Sequence, residues 1–169
     1  VNQLYDVSAK TPFEIREVEK FREKSLGVAQ YFSGAPDGSR PGVFYVPIPD
    51  SAKFNATDME NTFLHEAIPG HHYQLSLQHE DTSLPKFRRF KNYGAYVEGY
   101  AFYCESLGKD LGLYTEPYQY LASLTWQMHR AIRLVTDAGI HAKGMTREEA
   151  IQYMMDHEVV TEPVATAEI

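Results

Sequence analysis

The spacing of hydrophobic and polar residues along the chain predicts a mainly α-helical protein with one short β-strand. Apolar residues recur at helical intervals in five segments, so we expect helices over residues 11–27, 58–80, 87–111, 118–143 and 147–157. Val43–Ile48, with the sequence VFYVPI, is the only convincing strand, and its proline favours a position at the edge of a sheet. The last twelve residues, 158–169, show no such pattern and are expected to be an irregular connection.

Local sequence signals mark where several of these helices begin. Thr57 with Glu60, and Thr146 with Glu149, have the three-residue spacing of a capping box. Pro117 is suited to the first turn of the long helix that follows it, because a residue there needs no backbone N–H partner. These signals predict helix starts near residues 58, 117 and 147.

Composition narrows the class of protein. A chain of 169 residues with 43% hydrophobic and 13% aromatic residues fits one globular domain over residues 1–169. The formal net charge of −7 argues against a nucleic-acid-binding surface. No apolar run approaches the roughly 18–20 residues of a membrane span, so we expect a soluble protein. The chain starts with Val1 and has Cys104 as its single cysteine, which leaves the compartment, cytoplasmic or exported, open.

The candidate chemistry is concentrated in the helix predicted over residues 58–80, whose sequence includes HEAIPGHH. Zinc hydrolases commonly carry His-Glu-x-x-His on a helix, because histidines four residues apart can face one ion beside a basic glutamate. His65 and Glu66 match the start of that motif, but Pro69 occupies the position of the second histidine and cannot bind a metal. The pattern predicts a distorted variant of the metal-binding helix.

Two histidines further along the chain are candidates for the second histidine ligand. His71 and His72 follow His65 by six and seven residues, which is too far along a straight helix for a shared ion. Proline and Gly70 allow the helix to kink or bulge. A two-residue insertion moves the second ligand from i+4 to i+6, which favours His71, although His72 stays possible. The alternative hypothesis is that these histidines have purely structural hydrogen bonds.

Two glutamates in the next predicted helix complete the candidate site. Glu98 lies among apolar neighbours, where an unpaired carboxylate is costly, and it is suited to be a third metal ligand. Glu105 lies seven residues later on the same helical face and is suited to hold a ligating histidine by a hydrogen bond. Ordinary ion pairs with basic residues would also explain both carboxylates.

The long helix over residues 118–143 carries a polar stripe. Its members are spaced by four, three, four and four residues, and they are Trp126, Arg130, Arg133, Asp137 and His141. Such a mixed stripe on an otherwise apolar helix favours a polar network that faces a site, in which Asp137 would support a side chain of that site. The competing interpretation is a solvated helix surface.

Four blocks in the right order resemble a bacterial family, domain of unknown function 885. They are DGSRPG, HEAIPGHHYQ, YVEGYAFYCESLG and RAIRLVTDAGIH, and the resemblance covers roughly Asp37 to the C terminus. Tyr100 stands where that family usually has tryptophan, and Met145 where an aromatic residue is common. Family members are several times longer, so the resemblance implies that the chain is a fragment of a longer protein that contains the metal-binding core and lacks its flanking segments.

The family is similar to the gluzincin metallopeptidases, whose third zinc ligand is a glutamate in a block like VEGYAFYCE. This resemblance implies a zincin-like helical catalytic core, with the short edge strand preceding the metal-binding helix. It assigns Glu98 as third ligand, Glu66 as general base, and His65 with His71 or His72 as the other ligands of Zn²⁺.

These observations together favour a zinc metallopeptidase that cleaves short peptides. A zinc ion supplies Lewis acidity, and Glu66 transfers the proton from water to the leaving amine. We expect His141, with Tyr96, to stabilise the oxyanion, and Arg130, Arg133 or Arg40 to bind a substrate carboxylate. An edge strand could also pair with an extended peptide.

Two other functions remain open at this stage. The same residues could hydrolyse a non-peptide amide, or they could hold a metal in a non-catalytic binding protein. The presence of Glu66 argues against the latter, because a structural zinc site needs no base and tends to close its fourth position.

Overall fold

The computed structural model describes residues 4–23, 28–48, 50–52 and 54–169, and in that part of the chain the fold is mainly α-helical with a small sheet. The chain divides into two compact units, Val1–Gln119 and Tyr120–Ile169. The strands are β1 (Phe13–Glu17), β2 (Gln30–Phe32) and β3 (Gly42–Val46). The helices are α1 (Met59–Glu66), α2 (His71–Glu80), α3 (Lys86–Phe90), α4 (Gly94–Ser106), α5 (Pro117–Lys143), α6 (Arg147–His157) and α7 (Glu162–Glu168).

The predicted strand is present, but it lies at the centre of the sheet and not at its edge. Among the described residues the strand order is β1-β3-β2, with β1 parallel and β2 antiparallel to β3. The prediction that β3 is an edge strand is therefore wrong, and its Val43–Tyr45 stretch is paired on both sides. Pro47 is tolerated because it follows the last residue of the strand; Pro49 lies outside the described residues.

The helix predicted from residue 11 is wrong where the structure describes it, because Phe13–Glu17 form β1. In β1, Phe13 and Ile15 pair with Gly42 and Phe44, while the charged Glu14 and Arg16 point to the opposite face. This two-residue alternation is a strand pattern that pairing with β3 selects over a helix. The predicted end of that helix, near Gly27, lies outside the described residues.

The inner face of the sheet forms the core of the first unit. Phe44 and Val46 are buried against Ala67, at the end of α1, and partly buried apolar residues surround them. Those neighbours are Phe13, Ala29, Ile48, Met59, Phe63 and Ile68. Because fully burying a side chain such as Phe44 contributes about 1.5–3 kcal/mol, this contact fixes the end of α1 on the sheet.

Two predicted helix features of this unit need correction. The Thr57–Glu60 capping box does not form, because the Thr57 hydroxyl donates to Asn55 and the Glu60 carboxylate accepts from the backbone N–H of Tyr114. The helix predicted over residues 87–111 is divided into α3 and α4, with turns after residue 106. The side-chain amide of Gln78 donates to the carbonyls of Arg88 and Arg89, which satisfies acceptors that a continued helix would have used.

Helices α5 and α6 agree closely with the sequence prediction. Helix α5 begins at Pro117 and ends at Lys143, and α6 spans the predicted Arg147–His157. The Thr146–Glu149 capping box is present with both of its reciprocal hydrogen bonds. The predicted irregular end is wrong, because residues 162–168 form α7, which buries Ala165 against Ile132 and Met154. None of the helices in the described part of the chain has both the length and the apolar character needed to cross a bilayer.

Candidate metal centre

A sharp corner separates the two helices that carry the histidines. Helix α1 ends at Glu66 and α2 begins at His71, so the predicted single bulged helix is wrong. Residues 67–70, which include Pro69 and Gly70, form a turn that joins two separate helices. The backbone leaves the helical region at Ala67 (φ −106°, ψ −101°), and the Ile68–Pro69 peptide is cis.

Gly70 allows the close approach of the two chain segments at this corner. A Cβ atom added to Gly70 would lie 1.9 Å from the carbonyl oxygen of His65 and 2.3 Å from that of Leu64. Both contacts involve backbone atoms, which cannot rotate away as a side chain can. Only glycine fits here, and its presence lets the start of α2 return towards the last turn of α1.

The corner brings His65 and His71 to the same carboxylate of α4. The Nε2 atom of His65 lies 3.3 Å from Glu98 Oε2, and Nε2 of His71 lies 3.5 Å from Glu98 Oε1. One ligand atom from each of the three residues lies within 4.8 Å of the other two. The two imidazole rings meet edge to face, with centroids 4.7 Å apart. Three side chains of the types that bind transition metals thus converge at one point.

Glu98 is reached from solvent, contrary to the apolar environment predicted for it. Its side chain is 65% exposed, whereas the histidines are nine-tenths buried. The buried face of α4 consists instead of Val97, Ala101, Cys104 and Glu105. The cost of burying an unpaired carboxylate therefore does not apply to Glu98. What supports Glu98 as a ligand is the position of its carboxylate opposite the two Nε2 atoms.

His72 points away from this cluster. Its Nδ1 atom lies 2.9 Å from the hydroxyl of Tyr31 in β2 and 3.4 Å from Ser76 Oγ, and its ring packs on Phe13 at 4.8 Å. Burial lowers the pKa of His72, which favours the neutral ring. The structure thus places His71 in the cluster and His72 between α2 and the sheet.

Glu105 supports His65 from behind. Its side chain is fully buried, Oε1 lies 2.7 Å from His65 Nδ1, and Oε2 accepts a hydrogen bond from Asn61 Nδ2 at 3.0 Å. Burial alone would lower the pKa of His65, but its contacts with Glu105 and Glu98 outweigh burial and raise that pKa to about 9.

The other two candidates in the first unit's helices differ in their surroundings. Glu66 is the last residue of α1, is half-buried, and is close enough for its charge to raise the pKa of His65. Tyr96 is exposed on α4, and its backbone carbonyl accepts a hydrogen bond from the buried side chain of Gln74 at 3.3 Å. The structure brings Glu66 beside the cluster, and it gives the Tyr96 hydroxyl no hydrogen bond to the described cluster residues.

Arg40 lines a cavity of about 220 Å³ on the outer face of the sheet. The cavity walls include Val43 and Tyr45, which alternate with the inward-facing Phe44. Arg40 thus lies on the sheet face that points away from α1, and the structure does not bring it into the cluster of His65, His71 and Glu98.

The polar stripe of α5 belongs to the second unit, where two pairs of its members contact each other and one member contacts α7. The guanidinium of Arg130 lies over the Trp126 ring at 5.8 Å, and Arg133 Nε contacts Glu168 Oε1 of α7 at 2.9 Å. Asp137 and His141 lie 3.6 Å apart, and both side chains are exposed. The stripe joins α5 to α7 and presents its carboxyl-terminal end to solvent.

Sequence patterns missed two residues that contact the support of His65. Asn61 lies four residues before His65 on α1, a spacing that places both on one helical face and could have indicated it. Tyr114 lies in a loop with a positive φ of 55°, and its hydroxyl is 2.9 Å from the Glu105 carbonyl and 3.0 Å from Asn61 Oδ1. No local pattern identifies Tyr114, because its contacts are distant in sequence.

Comparison with known proteins places the chain in a family. A crystal structure described as "the putative lipoprotein from Colwellia psychrerythraea" matches with a TM-score of 0.90 and 34% sequence identity, over 97% of this chain. The chain spans 28% of the length of that protein. No match was found among curated proteins. The model of a family described as bacterial protein of unknown function (DUF885) matches residues 1–169. The chain therefore belongs to this family of bacterial proteins.

Proposed function

We propose that this chain carries the zinc site of a metal-dependent hydrolase that cleaves short peptides. The observation that carries the proposal is the convergence of one ligand atom each from His65, His71 and Glu98 within 4.8 Å of one another. Two histidines and one glutamate are a ligand set of catalytic zinc sites, which leave a fourth position for water or substrate. The exposure of Glu98 supports such an open position.

Two distances in the cluster match the spacing of separate ligands around one ion. Ligand atoms bound to one zinc ion at about 2.0–2.1 Å in tetrahedral geometry are roughly 3.3 Å apart. The two distances from Nε2 to Glu98 are 3.3 and 3.5 Å. A direct charge-assisted hydrogen bond is about 2.7–2.9 Å, as in the contact of 2.7 Å between His65 and Glu105. The two contacts with Glu98 are thus longer than a direct charge-assisted hydrogen bond, which supports a common ion in this proposal.

The residues around the cluster supply the remaining steps. A bound zinc ion supplies Lewis acidity to a carbonyl group and to water. Glu66, half-buried at the end of α1, is the carboxylate that accepts a proton from the attacking water and donates it to the leaving amine. Glu105 holds His65 in place through Nδ1.

We propose for residues outside the cluster the same functions that the sequence predicts. Tyr96 and His141 are proposed to stabilise the oxyanion, and Arg130 or Arg133 to bind the carboxylate of a peptide. Tyr96 and His141 are exposed in their respective units, where a substrate can reach them. Arg40 is the weaker candidate for substrate binding, because it lines the outer face of the sheet.

Metal analysis tests the proposal. The chain is dialysed against dilute zinc and then against metal-free buffer, and the retained zinc is measured by elemental analysis. We expect about one equivalent in the parent protein, sharply less in Glu98→Ala, and an unchanged amount in Glu17→Ala, which removes an exposed glutamate of β1. Equal zinc in Glu98→Ala and Glu17→Ala would exclude Glu98 as a ligand and overturn the proposal.

A further inference from the structure

A buried polar network lies behind the candidate metal centre. The Glu105 carboxylate is fully enclosed and accepts hydrogen bonds at both oxygens, one from His65 and one from Asn61. Asn61 itself is buried, and its Oδ1 faces the hydroxyl of Tyr114 at 3.0 Å. The direction of the Asn61 amide is thus determined by its neighbours, since the opposite orientation would place its oxygen against the carboxylate.

Tyr114 is held in this network by three separate features. Its backbone N–H donates to Glu60 Oε2 at 2.6 Å, one residue before Asn61 on α1. Its ring lies against Gly108, where an added Cβ atom would come within 2.1 Å of the ring. Its backbone has the positive φ of 55° that non-glycine residues rarely adopt. These features fix the hydroxyl against both Asn61 and the carbonyl of Glu105.

We infer that Asn61 and Tyr114 are positioning residues of the proposed zinc site: they hold Glu105 against Nδ1 of His65, so that Nε2 of His65 is the nitrogen directed at the ion. This inference rests on the proposed function. When the hydrogen on Nδ1 is accepted by Glu105, Nε2 is the nitrogen whose lone pair faces Glu98 and His71. Without Asn61, Glu105 Oε2 would be buried with one hydrogen-bond donor fewer, which weakens its hold on the ring.

Two variants separate positioning from general stability. Asn61→Leu keeps the approximate size of the side chain and removes both polar atoms. Tyr114→Phe removes one hydroxyl and leaves the ring on Gly108. Tyr103→Phe is the matched control, because Tyr103 is an exposed tyrosine of α4 whose hydroxyl lies outside the network.

Zinc affinity is measured by competition with a chromophoric chelator, and the Nδ1–H proton of His65 is followed by NMR in the zinc-loaded chain. We expect Asn61→Leu to weaken zinc binding about 10- to 100-fold and Tyr114→Phe about 2- to 10-fold. The low-field Nδ1–H signal should broaden in both variants and stay unchanged in Tyr103→Phe.

The outcomes distinguish this inference from the proposed function. If the parent chain does not bind zinc, both fail. If the parent binds zinc and both variants match Tyr103→Phe in affinity and in the Nδ1–H signal, only the positioning inference is overturned, even where their unfolding midpoints fall. Should Asn61→Leu not fold, Tyr114→Phe decides alone, because it preserves the packing of the ring.

Discussion

His71 and His72 are adjacent in sequence, yet they contact different elements of the fold. Nε2 of His71 lies 3.5 Å from Glu98 on α4, whereas Nδ1 of His72 lies 2.9 Å from the hydroxyl of Tyr31 in the sheet. Successive residues of a helix point about 100° apart, which is enough to send one imidazole to the cluster and the other to β2. This divergence gives the two histidines separable functions.

The first prediction concerns these two histidines. His71→Ala should weaken zinc binding by more than about 100-fold, since losing a ligand costs more than losing a residue that supports one. His72→Ala should retain zinc within a few-fold, but it should lower stability by about 1–3 kcal/mol, because the Tyr31 hydroxyl loses its buried partner. Chelator competition and urea unfolding measure the two effects. If His72→Ala lost zinc and His71→Ala retained it, His72 would be the ligand.

The second prediction concerns Glu66, which we assign as base and not as ligand. Glu66→Gln preserves size but cannot accept the proton, so hydrolysis of short peptides should fall by about 10²–10⁴-fold in the protein of full natural length. Zinc content should stay at the parent value, and Glu17→Gln should leave both quantities unchanged. A Glu66→Gln protein that hydrolyses peptides at the parent rate would refute the mechanism.

The third prediction concerns the glycine at the corner between α1 and α2. Gly70→Ala should destabilise the first unit by about 3 kcal/mol, at the upper end for overpacking, because the added carbon meets two backbone carbonyls. Gly99→Ala is the matched control: Gly99 lies inside α4, a Cβ there meets nothing within 4 Å, and alanine should be neutral or stabilising by up to about 1 kcal/mol. Urea denaturation distinguishes them, and equal effects would disprove the close approach.

The fourth prediction concerns the pH dependence of stability at Glu80. Burial tends to raise the pKa of this carboxyl, but hydrogen bonds from Thr11 and from the backbone of Lys10 prevail and lower it below 4.5. A carboxyl group whose pKa is lower in the native state stabilises the fold at pH values above its pKa in the unfolded state. This contribution to the free energy of unfolding disappears as the pH falls through the native pKa.

At pH 7, Glu80→Gln should accordingly be less stable than the parent by about 1–3 kcal/mol, because the neutral glutamine cannot form the charge-assisted hydrogen bonds of the carboxylate. The difference should shrink as the pH falls below about 4, and urea midpoints across this range measure it. Glu17→Gln provides the control. A difference that is independent of pH would show that the shape of the side chain, and not its charge, is responsible.

Helices α5 and α6 were predictable because their determinants are local. Pro117 at the start of α5 and the Thr146–Glu149 box at the start of α6 act within one turn of the residues they stabilise. Strands β1 and β2 escaped prediction because they are short and gain their stability from pairing with β3. A helix was predicted where β1 is found, because contacts that are distant in sequence override a weak helical spacing of apolar residues.

In the candidate site the sequence predicted which side chains lie close together better than it predicted their surroundings. The convergence of His65, His71 and Glu98 agrees with the predicted ligand set, whose function as ligands stays a prediction. The predicted burial of Glu98 was wrong, because apolar neighbours along a helix do not lie on one face of it. Tyr114 could not be predicted, since it meets Asn61 only after the loop beyond α4 folds back.

The corner at residues 67–70 also determines where the amino-terminal segment of the chain is attached. Along α2, the hydroxyl of Tyr73 donates to the Val7 carbonyl, and Glu80 binds the backbone at Thr11. Deleting Pro69 and Gly70 would restore the common His-Glu-x-x-His interval, but α2 would then continue along the axis of α1. Both attachments would lose their partners. A deletion that restores the common motif would therefore not simply regenerate this site. The longer interval between the two histidines also sets the direction of α2, and α2 holds the segment that precedes the sheet.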